Sequence, residues 1–271
     1  MDTLPMNLNR LMEIARSQAT EILIVGVVFA ILGLLLRRLP SRQMRAETRT
    51  NAVIHVVDLL CIAPLIGLVI VALTPILATG PLAFIWSAAG PGATIVAVLL
   101  IGDFVGYWRH RLQHSPLLWP AHAVHHSDRA LSWFSLIRMH PIDRFGTALD
   151  TIVLAALGFP AWALALNGLA RHYYGYLIHA DLPWTFGKVD LLLNSPAMHR
   201  WHHSRDVHGK NFATLFSLWD RAFGTYYAPG PCDGPLGIDA DMGKGVVGQY
   251  LYPLKVWFAR SEPNSTSSAQ Q

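Results

Sequence analysis

The sequence has few cysteines, which limits the metal and redox chemistry available to the chain. Only Cys61 and Cys232 are present among 271 residues. Two thiols cannot build a disulfide framework, a four-thiolate zinc site, or a cysteine-based haem or iron–sulfur motif. A metal site in this chain would therefore depend on nitrogen and oxygen ligands.

Charged residues are also scarce. Asp, Glu, Lys and Arg make up 14% of the chain, whereas soluble domains usually contain roughly 25%. Hydrophobic residues reach 52% and the mean hydropathy is +0.34, a balance that indicates a membrane protein. The net charge of +4 comes largely from arginines beside apolar stretches, which is typical of membrane topology control. We therefore expect no nucleic-acid partner.

Several catalytic motifs are missing. No HExxH motif is present, which disfavours a zinc-dependent membrane lipid hydrolase, although this class stays the alternative. No Glu-x-x-His pair is present, which argues against a carboxylate-rich di-iron bundle. No Gly-rich dinucleotide-binding fingerprint is evident; such a fingerprint requires a strand before it and a helix after it. The chain is therefore not expected to carry its own reductase.

Long apolar stretches predict about four membrane-embedded helical regions. Residues 52–79 and 83–107 are each long enough to cross a hydrocarbon layer of roughly 30 Å. Residues 21–35 predict a retained helix, because their basic flank follows the apolar run, unlike the order in a signal peptide. A fourth region, residues 147–177, is interrupted by Gly-Phe-Pro at 158–160, so two short antiparallel arms are expected there.

Five arginines predict which side of the membrane the loops face. Between the first and second apolar stretches lie Arg37, Arg38, Arg42, Arg45 and Arg49. The positive-inside rule places that loop in the cytoplasm, and an even number of later crossings keeps the histidine-rich segments on the same side. The expected location is the inner membrane of a bacterium or the endoplasmic reticulum of a eukaryote.

Twelve of the thirteen histidines follow the third apolar stretch, and most of them form an ordered series. Three short strings have helical spacings: HRLQH at 110–114 has histidines at i and i+4, and HAVHH at 122–126 and HRWHH at 199–203 have them at i, i+3 and i+4. On a helix, the three rings of HRWHH leave from one face and are expected to converge on one point. His55 and His208 stand apart, and we expect a packed and an exposed residue, respectively.

The size of this histidine set predicts two metal ions. Imidazole is a common metal ligand, and eight to ten imidazoles exceed the needs of one ion. A zinc site usually takes three or four protein ligands, so the count favours a dinuclear iron centre built from nitrogen. A pH-sensing surface would not need matched helical registers, and a metal transporter would place ligands along its spans. Both alternatives are therefore disfavoured.

The same strings, with RMHP at 138–141 and NFATLFSLWDRAFGT at 211–225, resemble the sterol desaturase and fatty acid hydroxylase superfamily. The resemblance covers roughly residues 103–227. It implies an all-α integral membrane protein with a cytoplasmic histidine-rich helical cap that holds two iron ions. It also implies an enzyme that hydroxylates or desaturates a lipid with O2 and electrons from a separate donor protein.

Carried over by position, the resemblance implies metal ligands at His110, His114, His122, His125, His126, His179, His199, His202 and His203. The family often has a further histidine one turn before the equivalent of His179, where this chain has Gly175. His172, two turns before His179, is the first candidate for a tenth ligand, and His140 or a water is the alternative.

Other polar residues near these strings are candidates for supporting roles. A metal-bound imidazole commonly donates its second N–H to an acceptor, and the nearby candidates are Asp103, Asp128, Asp181 and Asp206. Asn211 matches a family asparagine and is a further candidate, whereas Trp219, Asp220 and Arg221 are expected to serve packing. The expected organisation is a transmembrane region at 1–100, a catalytic region at 101–228, a loop and helix at 229–258 and a disordered tail at 259–271.

Overall fold

The computed structural model describes residues 8–77, 82–243 and 245–260. Helices dominate this part of the chain: α1 (Leu8–Leu35), α2 (Arg42–Val57), α3 (Ala63–Leu77), α4 (Ala83–Gln113), α5 (Trp119–His126), α6 (Pro141–Ala156), α7 (Ala161–His179), α8 (Pro196–His202), α9 (Leu218–Ala222) and α10 (Gly245–Arg260). A π-helical segment, Asp58–Ile62, joins α2 to α3, and two 3-10 helices occupy Trp133–Ile137 and Gly187–Leu191. An isolated bridge between Ser204 and Leu236 is the only β pairing in the described residues. The expected all-α class is confirmed.

Two compact units make up the chain, residues 1–42 and residues 43–271. In the described residues, three helical segments are long and apolar enough to cross a membrane: Arg16–Leu35, Arg42–Ile70 and Ala83–Gln113. The first and third segments contain the predicted stretches 21–35 and 83–107. The second contains residues 52–70 of the predicted stretch 52–79; α3 continues to Leu77, and residues 78 and 79 lie outside the described residues. Of the tail expected to be disordered at 259–271, residues 259 and 260 form the end of α10, and the rest lies outside the described residues.

The predicted interruption at residues 158–160 separates α6 from α7. Gly158 adopts a positive φ of 80°, a conformation that favours glycine, and Pro160 begins the next helix as its N-cap. Phe159 stacks on Trp86 of α4 at a centroid distance of 3.9 Å, and the Trp86 Nε1–H donates to the Leu157 carbonyl at 2.8 Å. This turn therefore lies at the N-terminal end of α4. The other ends of α6 and α7 lie near the C-terminal end of α4, so the two arms are antiparallel, as expected.

Two glycines on α4 leave room for polar side chains of α7 to pack against the α4 backbone. A Cβ at Gly106 would lie within contact distance of the Arg171 guanidinium, and one at Gly102 would meet the Asn167 amide. Arg171 donates to the Gly102 carbonyl at 2.8 Å and to Asp150 of α6 at 3.1 Å. These charges lie among apolar helices, where a broken ion pair is costly. The ion pairs therefore fix the relative positions of α4, α6 and α7, whose ends carry the histidines.

A Gly-x-Gly-x-x-Gly string spans residues 243–248 and overlaps the first turn of α10. No strand precedes it in the described residues, so the dinucleotide-binding context is missing. A Cβ at Gly248 would lie 2.6 Å from the Met242 carbonyl oxygen, so this glycine serves the close approach of a loop to the helix.

Candidate metal centre

Nine of the thirteen histidines meet at one end of the helical bundle. The C-terminal end of α4 supplies His110 and His114, α5 supplies three more, and α7 ends on His179. The last three lie on α8 and its C-cap. Ser195 caps α8 by accepting the Met198 N–H at 3.4 Å, which fixes the register of these last three histidines.

The nine imidazoles divide into two groups, and within each group the potential ligand atoms lie within 4.8 Å of one another. Group A has five members: His110, His114, His122, His126 and His202. Group B has four members: His125, His179, His199 and His203. All nine histidines that the sequence resemblance singled out are in these groups, and neither group contains a carboxylate or a thiol.

The expectation that the three rings of HRWHH converge on one point is wrong. His199 and His203 belong to group B, whereas His202 belongs to group A. The HAVHH string behaves in the same way, because His122 and His126 share group A while His125 points to group B. At roughly 100° per residue, side chains at i and i+4 differ by about 40°, whereas neighbours differ by about 100°. Adjacent histidines therefore serve different groups.

The Nε2 atoms of group B point at one another. His179 Nε2 lies 3.2 Å from His125 Nε2 and 3.0 Å from His199 Nε2, and His199 Nε2 lies 3.2 Å from His203 Nε2. All four side chains are buried. Nitrogen ligands at roughly 2.0–2.1 Å from one metal ion lie roughly 3.0–3.4 Å from each other, which matches these distances.

Group A has the same character but is less enclosed, because His110 and His114 are only partly buried. His110 Nε2 lies 3.1 Å from His122 Nε2. The Nε2 atoms of His114, His126 and His202 are buried, and each is without a hydrogen-bond partner among the described residues. A buried polar atom without a partner is costly, so these atoms favour a bound ion.

The two groups adjoin each other. The ring of His126 in group A stacks on the ring of His203 in group B, with centroids 4.4 Å apart. His202 in group A and His199 in group B stack in a similar way at 5.2 Å. Ions held by the two groups would therefore be neighbours, as in a dinuclear centre.

Backbone carbonyls fix the orientation of four of the rings. His110 Nδ1 faces the Phe212 carbonyl at 2.7 Å, and His202 Nδ1 faces the Lys210 carbonyl at 2.7 Å. In group B, His125 Nδ1 faces the Arg138 carbonyl at 3.1 Å, and His179 Nδ1 faces the Gly175 carbonyl at 2.7 Å. A carbonyl can only accept, so each Nδ1 carries the proton. The lone pair on each Nε2 is then directed into its group.

One carboxylate supports a ring directly, and it was not among the four candidates. Asp143 lies on α6, and its Oδ2 accepts from His122 Nδ1 at 3.1 Å while its Oδ1 accepts from Gln113 at 2.7 Å. A carboxylate that orients a ligand histidine in this way also raises its basicity. The available signal in the sequence was the position of Asp143 three residues after His140, in RMHPID.

Asp103 and Asp220 act on the loop that carries two of these carbonyls. Asp103 accepts the amide N–H groups of residues 214, 215 and 216 at 2.8–3.2 Å. Asp220 accepts the amides of Phe212 and Ala213 at 2.7 and 3.0 Å, and burial raises its pKa to about 6. Five successive amides are thus held by two buried carboxylates, so Asp220 organises the loop beside His110 in addition to packing.

The three remaining carboxylate candidates have other partners. Asp128 is buried and accepts from Asn51 at 3.1 Å and from Ser135 at 2.6 Å, which braces the segment whose Arg138 carbonyl meets His125. Asp181 pairs with Arg200 at 3.1 Å. Asp206 lies in an exposed loop, where its amide donates to Ser204.

Asn211 joins α8 to the segment that follows α9. It adopts a positive φ of 56°, donates to the carbonyls of Met198 and Tyr227, and accepts the Tyr227 amide at 2.8 Å. Trp219 packs against the buried cluster of Tyr107, Phe212 and Ala213. Arg221 donates to the Leu191 carbonyl. These contacts position the loop rather than a histidine ring.

The structure does not bring His172 into either group. His172 lies two turns, or roughly 10 Å, before His179 along α7, and its ring packs on Tyr176 at 4.6 Å. His140 caps α6: its Nδ1 accepts the Ile142 amide, and its Nε2 donates to the Tyr250 carbonyl at 3.1 Å. A Cβ at Gly175 would lie 2.9 Å from a Leu136 methyl carbon, so Leu136 fills the space that a family histidine would enter.

The two histidines expected to stand apart are outside both groups. His55 packs edge-on against Phe134 at 6.1 Å, and His208 is exposed.

Electrostatics keep the imidazoles neutral. Burial lowers the pKa of His202 to about 3 and that of His179 to about 4. Burial and the neighbouring imidazoles also lower the pKa values of His114, His125, His126, His199 and His203 well below the usual value. Neutral lone pairs that face each other at about 3 Å repel, and a cation between them removes the repulsion. The donor set therefore fits bound metal ions.

The histidine-rich part of the chain is similar in sequence to proteins of known function. Residues 95–225 match the family model described as fatty acid hydroxylase. An ornithine lipid hydroxylase of Rhizobium tropici is 34% identical over 165 residues, which cover 59% of this chain and 50% of that protein. The human alkylglycerol monooxygenase is 31% identical over 129 residues, which cover 46% of this chain and 29% of the relative.

A third relative, a delta(7)-sterol 5(6)-desaturase of Aspergillus fumigatus, is 27% identical over 184 residues, or 59% of this chain and 57% of that protein. The chain thus spans about half or less of the length of the first curated relatives it matches. No solved structure matches. Residues 95–225, which carry the histidine strings, therefore form a fatty acid hydroxylase domain of the kind found in the sterol desaturase and fatty acid hydroxylase superfamily, and the apolar helices are those of an integral membrane protein.

Proposed function

We propose that the protein is a membrane-bound di-iron oxygenase that hydroxylates or desaturates a lipid with O2 and electrons from a separate donor. The observation that carries this proposal is the pair of adjoining imidazole groups, five and four histidines, that contain no other ligand type. The names of the relatives, a lipid hydroxylase, an alkylglycerol monooxygenase and a sterol desaturase, support a lipid substrate.

The nine grouped histidines are the proposed ligands of two iron ions. Bound iron would supply the activation of O2 that oxidation of an unactivated C–H bond needs. Neutral imidazoles leave the positive charge of such ions uncompensated, unlike the carboxylates of soluble di-iron bundles. A hydrolase would need an acidic base beside the metal, and both Asp143 oxygens are engaged by His122 and Gln113.

The protein's own contribution is a rigid and dry environment. Four Nδ1–H groups are held by carbonyls and one by Asp143, so ligand directions are set before an ion binds. Group B is fully buried, whereas group A has two partly exposed members. The substrate is expected to enter from the bilayer between helices, and the site is expected to face the cytoplasm because of the arginine-rich loop.

A matched pair of variants tests the proposed function. His202→Ala removes a group A ligand and should abolish lipid oxidation, whereas His208→Ala changes an exposed residue outside both groups and should leave it intact. The assay compares lipid extracts of cells with and without each variant for a mass difference of one oxygen or two hydrogens. Normal oxidation by a folded His202→Ala protein would refute the assignment.

A further inference from the structure

Helix α10 presents a stripe of exposed apolar side chains. Val247, Leu251, Leu254 and Phe258 are 70%, 54%, 45% and 69% exposed, respectively. Their spacing of i, i+4, i+7 and i+11 places them within an arc of about 60° on one side of the helix. Single exposed apolar residues are common, but a continuous stripe marks an interaction surface.

The opposite side of α10 is fixed against the histidine-bearing part of the protein. Gln249 and Pro253 are buried, and the Tyr250 carbonyl accepts from His140 Nε2 at 3.1 Å. Val246 and Tyr250 pack against the cluster that includes Ala123 and Val124 of α5. The helix therefore has one defined orientation, and this orientation leaves the stripe outside.

The stripe is connected to the point where a candidate membrane span ends. The Trp257 Nε1–H donates to the Leu117 carbonyl at 2.9 Å, and Leu117 follows the end of α4 by four residues. Leu117 is itself 71% exposed, and Leu112 and Trp108 on the last turns of α4 are also exposed. The apolar outer surface of α4 thus continues toward α10.

We propose that α10 lies along the membrane surface with this stripe in the acyl region of the bilayer. At 16 residues the helix is about 24 Å long, too short to cross a hydrocarbon layer of roughly 30 Å. Exposed Lys255 borders the stripe on one side, where its ammonium group can reach lipid phosphates, and Trp257 borders it on the other. This anchor holds α10, and through its packing contacts α5, close to the bilayer and does not depend on metal binding.

Site-directed fluorescence in lipid vesicles tests this placement. In a background with both cysteines changed to serine, Leu251→Cys and Val247→Cys carry a bimane label on the stripe. Asp239→Cys is the control, because Asp239 is 81% exposed and pairs only at the surface with Arg205. The full-length protein is reconstituted in vesicles of phosphatidylcholine and phosphatidylglycerol, and circular dichroism and gel filtration check that each variant is folded.

The two stripe labels should be quenched several-fold more by doxyl-labelled lipids than by aqueous iodide, and the Asp239→Cys label should show the reverse. Strong iodide quenching of the stripe labels would overturn the proposal, because the stripe would then face water. Protection from both quenchers would also overturn it, because another protein surface or a second copy of the chain would then cover the stripe.

Discussion

The change Asp143→Asn isolates the support that a carboxylate gives to one metal-site histidine. The side chain is buried, and its two oxygens accept from His122 Nδ1 at 3.1 Å and from Gln113 Nε2 at 2.7 Å. Asparagine has the same shape but replaces one acceptor with an NH2 donor. Gln113 cannot reverse its amide, because its Oε1 already accepts from Arg109 at 2.7 Å. One donor therefore faces another donor in either orientation.

The magnitude follows from the loss of a charged acceptor behind one ligand. Loss of such an outer partner typically lowers metal affinity about 10–100-fold, which corresponds to about 1.4–2.8 kcal/mol. Only His122, one of the five histidines of group A, loses a charged acceptor, and no partner of a group B ring is changed. One of two bound ions should therefore become weaker while the other keeps its affinity.

Chelator competition measures this effect. Purified Asp143→Asn protein should release about half of its iron at a chelator concentration about 10–100-fold below that needed by the unchanged protein. Asp239→Asn, at an exposed surface pair, is the control and should release iron like the unchanged protein. Identical release curves for Asp143→Asn and the unchanged protein would refute the role given to this carboxylate.

Three further predictions follow from packing and burial. Gly175→His should lower the melting temperature, because Leu136 occupies the space that the new side chain would need. Adding Leu136→Ala should restore part of the lost melting temperature, and an unchanged melting temperature in the single variant would contradict this packing. Gly106→Ala should destabilise the protein, because the new methyl group would displace the Arg171 guanidinium. Gly168→Ala has open space around its Cβ, so denaturant unfolding should show no change or a gain of about 0.5–1 kcal/mol. Equal effects of the two variants would be inconsistent with the contact between Gly106 and Arg171. Burial lowers the pKa of His202 to about 3 and that of His179 to about 4. Between about pH 4 and pH 6.5 the unfolded apoprotein therefore binds protons that the folded form does not. The melting temperature of chelator-stripped protein should therefore fall as pH drops from about 6.5 toward about 4, and a constant or rising value would contradict it.

The histidine set was predictable because helical spacing is a property of the sequence. HRLQH, HAVHH and HRWHH carry eight of the nine grouped residues, and His179 followed from the family resemblance. Their division between two groups was not predicted, because it depends on the rotation of α5 and α8 toward each other. Only the assembled helices show that His125 and His126 point to different groups.

The partners of the rings were harder to predict. Four of them are backbone carbonyls, which every residue has, so no side-chain pattern marks Phe212, Lys210, Arg138 or Gly175. Asp143 was missed because it and His122 are 21 positions apart in the sequence and lie on different helices, so no local spacing marks their contact. The role of Asp220 also depends on a folded loop that turns five amides toward two carboxylates.

Helix boundaries also differed from the apolar stretches that predicted them. Hydropathy marked residues 52–79, but α2 begins at Arg42, because a helix continues past the apolar layer into its arginine-rich flank. The interruption at 158–160 was predicted correctly, because glycine with positive φ and proline act on the local backbone.

Metal analysis of protein purified without chelators tests the central claim most directly. Two imidazole groups should hold about two iron ions per chain, and His202→Ala should lower the content toward about one, because group B keeps all four of its histidines. A single zinc ion per chain, or an iron content that His202→Ala leaves unchanged, would contradict the account.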